Sequence, residues 1–266
     1  MGGEVISSRT NARVKQLRGA FAGNGRLSEG LIAIEGEHLL EEAIRSGMVL
    51  KTVFIGGRKP APPGLPEETE LLRLTDNTFV SAVETSSPQG IAALMAPPNF
   101  RLEDTLRGPS PLILVACGLQ DPGNLGALVR SAEAFGASGL LTTSGTVNVW
   151  NQKALRASAG SSFRLPVISA TPDEIKAMKN RGVQLLAAVG APGKGVISVQ
   201  DLDLRRPCAL LIGNEGAGLS AEWMEMADAQ VTIPCPGPVE SLNAAVAGSL
   251  LLYEASRQRG ASKEVR

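Results

Sequence analysis

The chain has 266 residues, of which 43% are hydrophobic, enough for packed cores in one large or two ordinary domains. Its 26 Lys and Arg balance 26 Asp and Glu at a pI near 6.6, so no global field recruits nucleic acid, and any such affinity must come from local patches. The cysteines at 117, 208 and 235 are too scattered for a zinc site, and their odd number argues against a disulfide framework; with no apolar run of signal or membrane length, the expectation is a cytoplasmic protein with no metal and no membrane partner.

Residues 7–20 predict a short amphipathic helix with Val14, Leu17 and Phe21 on one side. Across 1–28 the basic residues Arg9, Arg13, Lys15, Arg18 and Arg26 face Glu4 alone, although such a face is more often solvated than a contact. From 31 to 96 strands alternate with helices. Leu31–Ile34 reads as strand, Gly36–Gly47 as helix and Thr52–Ile55 as strand, followed by a proline-rich loop at 60–66 and then strand, helix and the strand Gly90–Met95. His38 is the only histidine and has no acidic or nucleophilic partner in motif spacing, so it is assigned no chemistry. The polar, proline-rich stretch 98–110 predicts a linker between a domain over 1–97 and a second over 111–266.

The second domain opens with the apolar strand Leu112–Ala116 and the loop Cys117–Pro122. Gly123-Asn124-Leu125-Gly126 then leads into a helix that ends near Gly136, and Arg130 lies one turn beyond Gly126, where space beside an arginine suits a phosphate or ribose. After the strand Gly139–Thr142 come Lys153, Arg156 and Arg164, with no acid among residues 151–164. A helix at 172–181 and a strand at 183–189 follow. Two strand-to-loop turns lie close together near the end, one closed by Gly213 and one by Pro234, as in an α/β sheet whose strands point their carboxyl ends at ligand-binding loops. Prolines 234, 236 and 238 stiffen the second loop, leaving the Cys235 and Gly237 amides free to read the edge of a flat heterocycle. Ser241 is the expected N-cap of a final helix to about 258, with Asn243 two residues in. That helix is rich in small residues (Ala244, Ala245, Ala247, Gly248, Ser249), which suits close packing against another helix or a second subunit.

A dinucleotide-binding oxidoreductase is a poor match, because the Gly213, Gly216 and Gly218 spacing is not G-x-G-x-x-G and lies far from the start of its domain. A glycine-rich cofactor turn after the first strand of the second domain is also missing, since Gln120-Asp121-Pro122 stands there. Three stretches together resemble the motifs of the SpoU (TrmH-like) branch of SPOUT methyltransferases: Asn124-Leu-Gly-Ala-Leu-Val-Arg130-Ser-Ala132, Gly213-Asn-Glu215-Gly-Ala-Gly-Leu-Ser220, and Ile233-Pro234 with Gly237 and Ser241-Leu242-Asn243. They follow family order and span most of 111–259.

The resemblance implies an α/β fold: a C-terminal SPOUT-type parallel sheet with a deep trefoil knot, preceded by a smaller N-terminal α/β domain that binds RNA. It implies methyl transfer from S-adenosylmethionine to a ribose 2′-hydroxyl of structured RNA, with ribosomal RNA favoured. A transfer-RNA methyltransferase and a catalytically inactive RNA-binding protein of the same fold are the alternatives. On this resemblance the catalytic set is Asn124, Arg130, Glu215, Ser241 and Asn243, with Arg130 contributed in many members across a homodimer interface. Ala188, Gly213, Ile233, Pro234, Gly237 and Leu242 hold the cofactor. Arg9, Arg13, Lys15, Lys153 and Arg156 meet the RNA. Two positions depart from the family: Ala188, where threonine is frequent, and Cys235, where methionine is common.

Overall fold

The computed structural model describes residues 5–22, 30–57, 59–85, 87–190, 192–239 and 241–260; Arg26 and the tail beyond Gly260 lie outside them. The chain divides into two compact units, 1–99 with 150–164 and 100–149 with 165–266.

The first unit opens with α1 (Ala12–Ala22), which starts later than the sequence pattern suggests. Asn11 is the reason: its Oδ1 accepts from the Arg13 amide at 2.9 Å and so holds the chain in a cap rather than a preceding turn. Val14, Leu17, Ala20 and Phe21 of α1 are buried at helical spacing. The chain continues through β1 (Ile32–Glu35), α2 (Glu37–Arg45), β2 (Leu50–Gly56), β3 (Glu70–Leu74), α3 (Asp76–Val80) and β4 (Ile91–Met95). These strands form one sheet in the order β1-β4-β2-β3, with β4 antiparallel to both neighbours and β2 parallel to β3. The buried side of α1 packs with Phe54, Leu74, Phe79 and Leu94 to make its core.

The second unit contains β5 (Leu112–Ala116), α4 (Pro122–Ala134) and β6 (Gly139–Thr142), after which α5 (Gln152–Ser158) belongs to the first unit. It resumes with β7 (Val167–Ser169), α6 (Pro172–Ala177), β8 (Gln184–Ala188), β9 (Val196–Ser198), β10 (Cys208–Ile212), α7 (Ala221–Met226), β11 (Ala229–Thr232) and α8 (Ala244–Gln258). The seven strands run in the order β7-β6-β5-β10-β8-β11-β9, every pair parallel. A wholly parallel sheet is covered on both faces, which is why β5 and β10 read as unbroken apolar runs with every residue buried. On one face α4 packs against α8. The approach is close because position 248 is glycine, since a Cβ there would strike the Leu128 side chain, and Ser131 and Ser249 share a hydroxyl hydrogen bond at 2.7 Å across the same contact.

Two features depart from the sequence expectation. The stretch 98–110 is not a plain spacer, because it contains a 3₁₀ turn at Leu102–Leu106 whose Thr105 is fully buried, and the second compact unit begins at Phe100. Residues 150–164, expected within the second domain, fold with the first unit. Gln152 Nε2 donates to the Ala33 carbonyl of β1 at 2.8 Å, and Arg164 Nη1 donates to Glu42 Oε2 at 2.8 Å and to Ser46 Oγ at 3.0 Å. The segment carries no acid of its own, so the partner of Arg164 is a buried carboxylate 122 residues away in sequence.

Candidate active site

The carboxyl ends of β8, β10 and β11 open onto one pocket, as expected for a parallel α/β sheet. Its volume is about 520 Å³, within the range that holds a small ligand. The loop after β10 is shaped by glycine: at Gly213 a Cβ would collide with the backbone of Gly218 and Leu219, across the tight turn that the paired amides and carbonyls of Asn214 and Gly218 close at 3.0 and 2.9 Å.

Asn214 locks this turn internally and externally. Its Oδ1 accepts from the amides of Gly216 and Ala217 at 2.9 and 3.1 Å, and its Nδ2 donates to the Gly118 carbonyl at 2.9 Å, in the loop after β5. Glu215 ties the same two loops. Its carboxylate accepts from the backbone amides of Gln120 at 3.3 Å and Asp121 at 3.0 Å, and from Asn124 Nδ2 at 3.0 Å. Asn124 Oδ1 in turn accepts from Asn243 Nδ2 at 3.0 Å. Asn124 is itself oriented at the start of α4, where the Asp121 side chain caps its amide at 2.8 Å.

Asn124, Glu215 and Asn243 therefore form one hydrogen-bonded chain through all three motif segments. Their amide and carboxylate groups are spent largely on each other, so each holds the loops in place. The N-cap of α8 is Asn243 rather than Ser241: Asn243 Oδ1 accepts from the amides of Ala245 and Val246 at 2.9 and 3.2 Å, and its backbone is extended, so the helix cannot begin two residues earlier. Ser241 instead lines the pocket.

Of the residues expected to hold a cofactor, Ala188, Gly213, Ile233 and Leu242 line the pocket, whereas Pro234 and Gly237 lie in its loop without forming the described wall. Cys235 is on the wall, with its thiol 3.4 Å from the Ile233 carbonyl. The sequence reading missed Asn214 and the α8 face of Ala244, Ala247 and Leu251, which repeats at helical spacing. That spacing was a usable signal, but small residues alone do not reveal which face turns to a ligand.

Among the described lining residues there is one carboxylate, Glu215, and no Lys, Arg or His. Such a wall suits a ligand with a positive centre and an apolar ring, and offers nothing to pair with a pyrophosphate. Burial pushes the Glu215 carboxyl up, but hydrogen bonds from Asn124, from its own backbone and from the Asp121 and Gln120 amides outweigh it and hold the group below its ordinary value. The group therefore stays ionised at neutral pH. Cys117, behind the site, is pushed up to about 12 by burial and is an inert thiol.

Arg130 is not in the pocket. It sits six residues beyond Asn124, about 9 Å along the α4 axis, is exposed, and makes no ion pair or side-chain hydrogen bond with the described residues. Arg9, Arg13, Lys15, Lys153 and Arg156 are likewise exposed, although Arg13 is paired to Glu70 at 3.1 Å. Arg18 of the same basic stretch is spent internally, donating to the Ser81 carbonyl at 2.9 Å.

Residues 111–253 match the SpoU rRNA Methylase family, and residues 11–93 match the MRM3-like substrate binding domain. The chain is 33% identical to the 23S rRNA (guanosine(2553)-2′-O)-methyltransferase RlmP of Bacillus subtilis, over 93% of this chain and 97% of that one. It is 32% identical to the 23S rRNA (uridine(2479)-2′-O)-methyltransferase of Streptomyces viridochromogenes, over 96% of this chain and 92% of the relative. The crystal structure of the SpoU methyltransferase AviRb from that organism, in complex with the cofactor AdoMet, superposes with a TM-score of 0.81 at 28% identity, covering 95% of this chain and all of that one. With the three motif segments joined at one pocket and both parts of the chain matched, this chain belongs to the SpoU rRNA methylase family.

Proposed function

We propose that this chain transfers the methyl group of S-adenosylmethionine to a ribose 2′-hydroxyl of ribosomal RNA. The observation that carries the reading is the pocket itself: glycine-rich turns, apolar walls and, among the described lining residues, a single carboxylate and no basic group, at the point where the three motif segments meet. Relatives along nearly the whole chain are named as 23S rRNA 2′-O-methyltransferases, one for a guanosine and one for a uridine, so the family relationship leaves the base open.

Bound there, the cofactor supplies an electrophilic methyl group on a sulfonium cation. Ala188, Gly213, Ile233 and Leu242 hold it, with the Glu215 carboxylate as the one formal charge among the described lining residues. Asn124 and Asn243 keep the loops at fixed separation through their shared hydrogen bond. Arg130 grips the phosphate beside the target ribose with its two-pronged guanidinium and stabilises the developing alkoxide. A guanidinium keeps its proton at ordinary pH, so the phosphate or a water takes the hydroxyl proton.

The reading includes a homodimer. Val246, Leu250 and Tyr253 of α8 are 47%, 42% and 52% exposed and recur at one-turn spacing, an apolar stripe that suits a second copy. Tyr253 is pre-set in that stripe by an edge-to-face contact with Phe135 at 5.7 Å. A second copy brings its own Arg130 toward the first copy's pocket, which accounts for Arg130 lying outside the pocket of its own chain. The trefoil knot belongs to the same reading and is supported by β10 inserting between β5 and β8. A cytoplasmic location is part of the same proposal; no helix among the described residues is long and apolar enough to cross a membrane.

The test is incubation of the protein with undermethylated 23S ribosomal RNA and labelled cofactor, followed by mapping of the modified ribose. One mapped 2′-O-methyl group is expected. Label incorporated into a base, or none on any ribosomal RNA, overturns the reading.

A further inference from the structure

The first unit carries a second concavity, of about 640 Å³, between α1 and the amino-terminal ends of β2 and β3. Its lining is mixed: Arg13, Lys51, Gln16, Glu70, Thr52, and the leucines Leu31 and Leu94. Neither its position nor its composition follows from the motifs that define the pocket of the second unit.

The groove is organised rather than a chance dip between side chains. Thr52 is only 3% exposed, and its hydroxyl donates to Glu70 Oε2 at 3.0 Å, anchoring the carboxylate from beneath. Arg13 Nε lies 3.1 Å from the same oxygen and 3.3 Å from Oε1, and Arg13 Nη1 donates to Gln16 Oε1 at 3.1 Å. The Glu70, Arg13 and Gln16 groups are thus held in one row along the rim. A carboxylate has about four acceptor positions, so after these three contacts Glu70 retains about one, on Oε1. Lys51 is exposed at the start of β2 and has no partner among the described residues. Two cations against one carboxylate leave the lining with a net charge of +1.

The other cations of this unit are mostly committed. Arg18 is spent on Ser81, Arg73 Nη1 on the carbonyls of Gly57 and Lys59 at 3.0 and 2.7 Å, and Lys59 pairs with Glu37 at 2.5 Å. Lys51 is therefore one of few positive groups here available to an anion, and it stands beside a fixed carboxylate and an apolar wall.

We propose that this groove holds one unpaired nucleotide of the substrate RNA, with its phosphate on Lys51 and Arg13 and an amine-bearing base edge on Glu70 and Gln16. Single-stranded RNA is read in this way: a splayed base lies against an apolar or planar surface while its edge meets fixed donors and acceptors, and a carboxylate accepts from an exocyclic amine such as that of cytosine. The inference rests on the reading of the chain as an RNA methyltransferase, and it adds a base preference that the family relationship does not carry.

The test uses the full chain and two single-stranded probes, oligocytidylate and oligouridylate of twelve nucleotides. The wild type is expected to bind oligocytidylate about fivefold or more tightly than oligouridylate, in line with the cost of one lost base-edge contact. Lys51→Glu is expected to weaken both probes about tenfold or more and to lower the slope of log affinity against log salt, by about 0.7 for a phosphate contact in a single strand. Glu70→Ala is expected to abolish the preference for cytidylate. Unchanged far-UV circular dichroism and a cooperative melting transition identify the variants as folded, and Lys51→Arg is expected to restore binding. Equal binding of both probes by the wild type, or full affinity in folded Lys51→Glu, overturns the groove. Ribosomal RNA methylation is scored separately. A wild type that methylates RNA while its groove variants bind normally loses only this inference, and a wild type that discriminates the probes without methylating loses only the enzymatic reading.

Discussion

The pocket of the second unit and the basic surfaces of the first are built from opposite materials. Around the pocket no described lining residue is cationic, and the key polar side chains are already bonded to one another: Glu215 to Asn124 and two backbone amides, Asn124 to Asn243, Asn214 to Gly118. On the first unit positive charge is plentiful in the sequence but divided in the fold. Arg18, Arg73 and Arg164 hold the protein's own carbonyls or carboxylates, while Lys51 and Arg156 face solvent. The difference teaches that a charged residue in a motif-rich stretch can be structural, and that a polar residue in a catalytic motif can act by holding a loop rather than by touching a reacting atom.

The largest expected effect separates Arg130 from the interlocked set. Arg130→Ala should lower single-turnover methyl transfer by roughly 10²–10³, with S-adenosylmethionine affinity by calorimetry unchanged, because Arg130 is exposed and outside the pocket. Arg130→Lys should stay strongly impaired, since it keeps the charge and loses the fork. Near wild-type turnover in either variant removes the arginine from the chemistry.

Asn243→Ala should behave in the opposite way. It removes the cap of α8 and the bond to Asn124 together, so cofactor affinity should fall about tenfold and stability by about 1 kcal/mol. A variant that loses only turnover, with cofactor affinity intact, contradicts the positioning role.

The comparison is sharpened further by two arginines eight residues apart. Arg164 carries the buried Glu42, so Arg164→Ala should cost about 1–3 kcal/mol in denaturant unfolding, less than for a fully buried pair because Arg164 is 36% exposed. Arg156→Ala should leave stability nearly unchanged, and together with Lys153→Ala it should flatten the salt dependence of RNA binding. Equal unfolding curves for Arg164→Ala and Arg156→Ala break the distinction.

The smallest effect is one of pH. Glu215 has its folded value depressed, so its contribution to the loop interlock is fully present above the ordinary carboxylate range and is lost as pH falls through the depressed value. Cofactor affinity should therefore be flat around neutrality and decline only in acid. Glu215→Gln should remove that acid limb; an acid limb of unchanged shape in the variant assigns it to another group.

Much of this was legible in the sequence. Buried parallel strands require continuous apolar runs, so β5 and β10 stood out, and Gly213 and Pro234 marked the ends of the strands that open onto the pocket. The strands β7 and β9 were missed, because three-residue edge strands carry too little periodicity to register. The early start assigned to α1 and the cap assigned to Ser241 failed for one reason. Each region offers several residues able to cap, and only the backbone geometry chooses Asn11 and Asn243.

Side-chain chemistry along the chain determined the family motifs, the neutral overall charge and the small-residue face of α8. Tertiary structure alone decided which groups are spent and which remain available. Arg164 stands in a segment without an acid of its own because its partner, Glu42, lies more than a hundred positions away, and only folding brings the two together. The roles of Asn214, Glu215 and Lys51 were set in the same way, because a hydrogen bond or its absence depends on distances of about 3 Å that sequence separation does not encode.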